Sequence, residues 1–429
     1  MAGLRGMARR LTWGLADQAV SSMTNFAVGV FVARELGVTA FGIFSLAWVT
    51  YGVVINVSRG LATDPLVVRF SGVREATWRA AVGRSAGTAF AVGLAFGVVS
   101  LFVGMAIGGM LGSAFVALGI ILPMLLTQDA WRFAFFAAGL GKRAFLNDVV
   151  WGIALVPAMF LAAEQGSVVA FLLAWGLTAG VAAIYGCVQT GTLPRWSGVS
   201  SWLRDNRDLG PRYLVENVSN SGSSQIRMYG LGAIAGVASV GTVRGAELLM
   251  GPFLAVLMGL SFVAVPEAAR VLRRDARRLP LFCVILGGGQ AAGTLLWGLS
   301  LLVFLNDRLG TMVLGSVWYT ASLLIVPATL GVTNASFITG AGAGLRALGN
   351  ARRSMRCQLI SSAAYVTGGL GGAFLGGAVG SAWGVAAATA FGAIVYWHQL
   401  FAGLRAHRPA EVTITEPDVH ESRDESRTT

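Results

Sequence analysis

The sequence predicts an all-α polytopic membrane protein, with about twelve transmembrane helices arranged as two pseudo-symmetric six-helix bundles. Three observations carry this. The 429-residue chain is 55% hydrophobic and only 12% charged, with a mean hydropathy of +0.68, whereas soluble domains carry about 25% charged residues. Its apolar runs are continuous and several are about 20 residues long, enough to cross a bilayer as helix and without the alternation of a membrane β-barrel. One stretch also recurs: Leu15–Ala47 can be laid without a gap on Leu214–Ala246, 199 positions downstream.

Only six of the 33 paired positions are identical, so the order of residue types carries the match. Asp17 falls on Glu216, Gln18 on Asn217, Ser22 on Ser221, Thr24 on Ser223 and Asn25 on Ser224. An apolar run follows, then Gly37-Val38 on Gly236-Val237 and Gly42 on Gly241. Each half therefore opens with an unusually polar membrane helix.

Taken in order, the first half is expected to hold helices at roughly 11–33, 40–61, 80–107, 114–138, 146–163 and 168–188, and the second at roughly 212–234, 239–264, 280–305, 318–340, 357–376 and 379–401. This gives an N-terminal lobe over 1–189, an interfacial linker over 190–211, a C-terminal lobe over 212–403 and a polar, disordered tail over 404–429. The linker, with Trp196, Trp202, Arg204 and Arg207, suits a strand or short helix lying at the membrane surface. Trp13, Asp17 and Gln18 interrupt the run that a cleaved signal would need, so the first helix reads as retained. With the N-terminus in the cytoplasm, 27 of the 32 Lys and Arg fall in cytoplasmic segments, a strong positive-inside pattern that also puts the C-terminus inside. The net charge of +12 is then a topology signal in contact with anionic lipid, and a nucleic-acid surface is excluded. Glycine, at 58 residues, suits close helix packing or helices that slide and bend.

The residues that can carry chemistry lie inside predicted helices. Asp17, Ser21 and Thr24, with Asn25 beside them, form a stripe on the first helix; Glu216, Asn220, Ser223 and Arg227 form one on the seventh. An ionised side chain at the bilayer centre costs about 2.5–3.5 kcal/mol even on lenient scales. The stripes should therefore face a water-filled cavity or the other lobe, or else join helices by hydrogen bonds. Arg244 and Glu247 share a face of the eighth helix at a depth similar to Arg227, so the three can meet. They read as a basic site for a phosphate-bearing ligand, or as a salt-bridged gate. Asp17 and Glu216 can bind a proton or Na+ for coupling, or pair with an arginine. Asp129 and Arg132 read as an intrahelical pair, with Asp148 as a further partner.

Catalysis has no visible constellation here: there is no phosphate-binding loop, serine elbow or paired Cys/His set. Cys187, Cys283 and Cys357 sit in or beside apolar runs, and the three histidines cluster at the C-terminal end, so neither a disulfide framework nor a metal site is expected. No cofactor is implied.

At Arg34-Glu35-Leu36-Gly37, followed by Phe41-Gly42-Ile43-Phe44-Ser45-Leu46-Ala47, the chain resembles the bacterial polysaccharide (O-antigen, Wzx-type) flippases of the MATE-like MOP transporter superfamily. The resemblance implies a V-shaped pair of six-helix bundles in the bacterial cytoplasmic membrane, with helices 1, 2, 7 and 8 lining a central cavity. It implies a lipid-linked oligosaccharide as cargo, moved from the inner to the outer leaflet by alternating access. The pyrophosphate and glycan would sit in the cavity and the polyprenyl chain in lipid, with a polysaccharide polymerase and glycosyltransferases as partners. Arg227 and Arg244 match the basic cavity positions, whereas helices 1 and 2 supply no buried arginine before Arg59. Two other readings stand beside it: an ion-coupled multidrug or organic-cation antiporter of the same superfamily, and a polyprenyl-phosphate-dependent membrane transferase.

Overall fold

The break between the first two membrane helices shows how the sequence builds the molecule. In the computed structural model, which describes residues 2–406 but not the side chains of 2–12, 14, 15, 220, 255, 256, 258–263 and 351, α1 (2–36) and α2 (38–58) are separated by Gly37 at φ 73°, ψ 172°. α7 (Gly210–Ala235) and α8 (Val237–Arg274) are separated by Gly236 at φ 80°, ψ 163°. Only glycine adopts this conformation without strain. The paired glycines of the repeat therefore make the same corner in each half.

The other long helices are α3 (Glu75–Ile107), α4 (Gly109–Ala137), α5 (Gly141–Gln165), α6 (Val168–Thr190), α9 (Leu279–Phe304), α10 (Ile325–Ala347), α11 (351–375) and α12 (378–406). Among the described residues there are twelve such helices and no strand, the fold class the sequence predicts. Eight helical segments are apolar and long enough to cross a bilayer, the first and last being bent pairs; the chain is a multi-pass membrane protein. Among the described residues, neither α7, whose polar stripe lowers its hydropathy, nor α8 is one of these eight.

Several boundaries differ from expectation, each where a polar or basic stretch stays helical. α8 runs to Arg274, because Pro266 does not end it. The expected loop after α2 is a π-turn (Arg59–Thr63) and a short helix (Asp64–Phe70). The segment before α10 holds a short helix, Asp307–Leu314, capped by the Asn306 side chain and pinned by a hydrogen bond from Trp318 Nε1 to Asp307. The tail is helical to Ala406; residues 407–429 lie outside the described residues.

Small residues set the closest helix crossings. In α3 and α4, a Cβ on Gly97 would lie 2.5 Å from Gly119 O; in α11 and α12, one on Gly372 would lie 2.1 Å from Gly380 O. Such approach replaces hydrophobic drive with dispersion contact in a lipid solvent. Across the two bundles, Gly42 of α2 meets Gly241 of α8: a Cβ on Gly42 would lie 1.9 Å from Val237 O, and one on Gly241 2.2 Å from Val38 O. These are repeat-equivalent glycines, so the halves touch at the pseudo-twofold.

The segment 191–209 defines one face of the molecule, called here the linker face. It forms the short helix Val199–Asp205 and is strapped to the first bundle. Trp202 is fully buried, donates to Leu61 O at 3.1 Å, and lies under Arg84 and against Phe70. Arg195 N donates to Gly83 O at 2.7 Å, and Arg69 pairs with Asp208 at 2.6 Å.

Candidate functional site: a cavity between the bundles with a charged corner

α7 and α8 leave the Gly236 corner side by side, so residues equally far from it in sequence stand level. Arg227 is nine residues before the corner, and Arg244 and Glu247 are eight and eleven after it. At 1.5 Å per residue this places all three about 12–16 Å from the face opposite the linker. There Glu247 lies between the arginines: Oε1 accepts from Arg227 Nη2 and Oε2 from Arg244 Nη1, both at 2.8 Å. The Arg227 side chain is only 4% exposed, and its guanidinium lies 5.3 Å from the Tyr365 ring centroid. Its Nε donates to no described atom. One carboxylate against two guanidiniums leaves a formal charge of +1.

This cluster forms one corner of a cavity of about 920 Å³. Its walls come from α1, α2, α7 and α8, as the resemblance implies, and also from α10, α11 and α12. The wall of the second bundle, including Pro327, Val332 and Tyr365, carries no sequence signal, because apolar residues in an apolar helix look alike whether they face lipid or a cavity. The Gly42–Gly241 contact and the packing of Gly315 against the Arg34 backbone lie at the face opposite the linker. On the α2–α7 side a polar ladder joins the bundles: Asp64 with Asn217 at 2.7 Å, Asn56 with Ser221 at 2.8 Å, and Thr50 with Tyr229 at 2.7 Å.

Of the predicted residues, the structure brings Asn25, Arg227, Arg244 and Glu247 to the cavity, together with Ser22. The rest of the first stripe is a correction. Asp17 is fully buried and turned into its own bundle, and Thr24 lies against Gly152 of α5. Ser21 is half-buried and lines no part of the cavity. Asp17 turns inward because Arg132 of α4 stands there, donating at 2.7 Å, with Asp148 3.3 Å from the same guanidinium. Asp129 pairs not with Arg132, three residues on, but with Arg59, through two hydrogen bonds of 2.7 and 2.9 Å. The expected intrahelical pair is therefore two interhelical ones. Both point into the bundle, where Arg59 makes a bidentate pair and Arg132 joins two carboxylates, charge-assisted contacts that satisfy a guanidinium well. Glu216, the repeat partner of Asp17, is exposed and joins no described ion pair. Ser223 is half-buried off the cavity, and the side chain of Asn220 lies outside the described residues.

No protein-family model and no curated protein sequence matches the chain. Solved structures do. A multidrug resistance MATE family transporter of the MOP superfamily, in an inward-facing conformation, superposes with a TM-score of 0.69 at 16% identity, covering 91% of this chain and 95% of that one. The fold is MATE-like. The lipid II flippase MurJ, in an inward closed conformation, shares the MATE-like fold with a TM-score of 0.64 at 13% identity, over 92% and 89% of the two chains. So does a MOP superfamily transporter from Pyrococcus furiosus whose binding pocket is described as of reverse polarity, at 0.52 and 15%, over 94% and 96%.

Proposed function

We propose that this chain is a flippase that moves a lipid-linked, phosphate-bearing saccharide from the inner to the outer leaflet of a bacterial cytoplasmic membrane, for cell-surface polysaccharide export. The observation that carries the reading is the buried, net-cationic Arg227–Glu247–Arg244 corner in a cavity between two bundles of a MATE-like fold. A phosphate head cannot cross hydrocarbon unaided, since its charge would lose water without replacement. Two guanidiniums in a pocket of low polarity supply that replacement, and arginine presents paired donors to phosphate oxygens. Glu247 holds the arginines in register until an anion takes its place. Glycosyltransferases that make the lipid-linked sugar and a polymerase that uses it are the partners this reading calls for. The cytoplasmic side is assigned to the linker face, where the basic segments lie.

The test is flipping of a lipid-linked saccharide in proteoliposomes, read by access of an external lectin or glycosidase to the sugar. The expected result is transport by the wild type and at least a tenfold loss in the Arg227→Ala/Arg244→Ala variant inserted at normal yield. Wild-type rates in that variant would remove both residues as substrate contacts. A second reading, an ion-coupled exporter of organic cations, draws on the buried Asp17–Arg132–Asp148 cluster, in which three charges share one site and carboxylates outnumber the arginine. Asp17 is the position where a proton or Na+ would couple to transport. Asp17→Asn should abolish the dependence of transport on an imposed pH or Na+ gradient; an unaltered gradient dependence would exclude it.

A further inference from the structure

The charged corner is small against the rest of the cavity, and the contrast bears on cargo. Along α8 the wall continues from Arg244 to Leu254, about 15 Å toward the linker face at the helical rise. That wall and the facing one are formed by Phe26, Leu248, Leu254, Leu324, Pro327 and Val332, among other apolar residues. Beyond the three charged residues, the described residues line it with hydroxyl or amide side chains only at Ser22, Asn25, Tyr365 and Thr389. The Thr389 hydroxyl is already bonded to the Val385 and Ala386 carbonyls, and Ser22 accepts from Gln18. A glycan chain in this space would leave most of its hydroxyls without partners, at a cost of about 1–3 kcal/mol each when buried. An alkyl or prenyl chain would instead remove apolar surface from water at about 25 cal/mol per Å².

We infer that the cavity takes a lipid phosphate head-first: the phosphate between Arg227 and Arg244, displacing Glu247, and the first units of its own apolar chain against the α8–α10 wall. The cargo carries at most a small sugar. This rests on the flippase reading and narrows it, and it reverses the arrangement the sequence resemblance implies, in which the glycan fills the cavity and the whole chain stays in lipid. Two features set the phosphate end. Arg227 is buried with one donor, Nε, bonded to no described atom. Glu247, at 35% side-chain exposure, is the most accessible member of the cluster and the one an anion replaces.

The test is calorimetric binding to the purified full-length protein in neutral detergent with five probes: farnesyl phosphate, farnesol, inorganic phosphate, a soluble nucleotide sugar and the lipophilic cation tetraphenylphosphonium. Farnesyl phosphate should bind at least tenfold tighter than each of the other four. Arg227→Ala should cost at least tenfold for farnesyl phosphate, and Val332→Asn about threefold or more, whereas Glu247→Gln should tighten it, since no carboxylate then competes. Nucleotide sugar binding as tightly as farnesyl phosphate would overturn the head-first placement and leave an anion flippase standing. Farnesol binding as tightly as its phosphate would overturn the phosphate site itself. Binding of a lipophilic cation such as tetraphenylphosphonium, with none of the anions, would overturn this inference and the flippase reading together. The wild-type ranking is decisive even if a variant fails to fold.

Discussion

At the scale of residues, the described ion pairs inside the membrane segments are built in two styles. In the first bundle, Arg132 joins Asp17 and Asp148, and Arg59 joins Asp129, with the carboxylate side chains at most 6% exposed. Phe133 and Phe136 cover the two guanidiniums. Removing one member of such a set strands the others. Arg132→Ala should lower stability by about 3–5 kcal/mol, read as a fall in the thermal unfolding midpoint in detergent; an unchanged midpoint would show that the carboxylates relax without it. In the second bundle, Glu247 is a partner that can be replaced, since it is more than a third open on the cavity side while Arg227 is closed in. What the sequence disclosed at this scale follows from spacing. Arg227, Arg244 and Glu247 are tied to a corner that fixes their levels, so their meeting is legible from counting residues. The direction of Asp17 is not, because it depends on Arg132, 115 positions away. Tyr365 carries no signal at all until α11 is placed against α7.

At the scale of elements, the corners and crossings are the parts that sequence reveals best. Gly37 and Gly236 fall on one another in the ungapped repeat, and they share a backbone conformation that other residues rarely adopt. Their neighbours Gly42 and Gly241 bring α2 and α8 together so closely that a methyl group meets the opposing backbone. Gly42→Ala should therefore cost about 1–3 kcal/mol of the closed contact and shift the molecule toward separation at that face. Spin labels at Glu35 and Arg308, both exposed there, should report longer distances in this variant; an unchanged distribution would mean that the crossing is not what closes the face. The linker strap makes a separate prediction. Trp202→Ala should cost about 3–5 kcal/mol and expose 191–209 to protease. Desolvation acts upward on the Asp208 carboxyl, but its own and the Leu209 amides, with Arg69, outweigh it and hold it below the ordinary aspartate range. A depressed carboxylate stabilises above its unfolded value and loses that effect as pH falls through the folded one. Protease resistance of the linker should thus persist to below about pH 3.9 before Arg69 is released, and Asp208→Asn should remove that acid step.

At the scale of the whole molecule, twelve helices and two halves were legible because hydropathy, charge asymmetry and one repeat all point to the same plan. The helix ends were less so, since α8 and the segment after α2 remain helical through basic, proline-containing sequence that reads as loop. The shape of the cavity was illegible, because it depends on which apolar faces the bundles turn toward each other. The strapped linker has a kinematic consequence. Because 191–209 belongs mechanically to the first bundle, the covalent tether between the two bodies shrinks to the step from Leu209 into Gly210-Pro211, where α7 begins. A tether that short allows little translation. With the polar ladder along α2 and α7 beside it, the freedom such a tether leaves is rotation about a line through that edge, the turn of a book's covers about its spine, which would open the α1–α8 side.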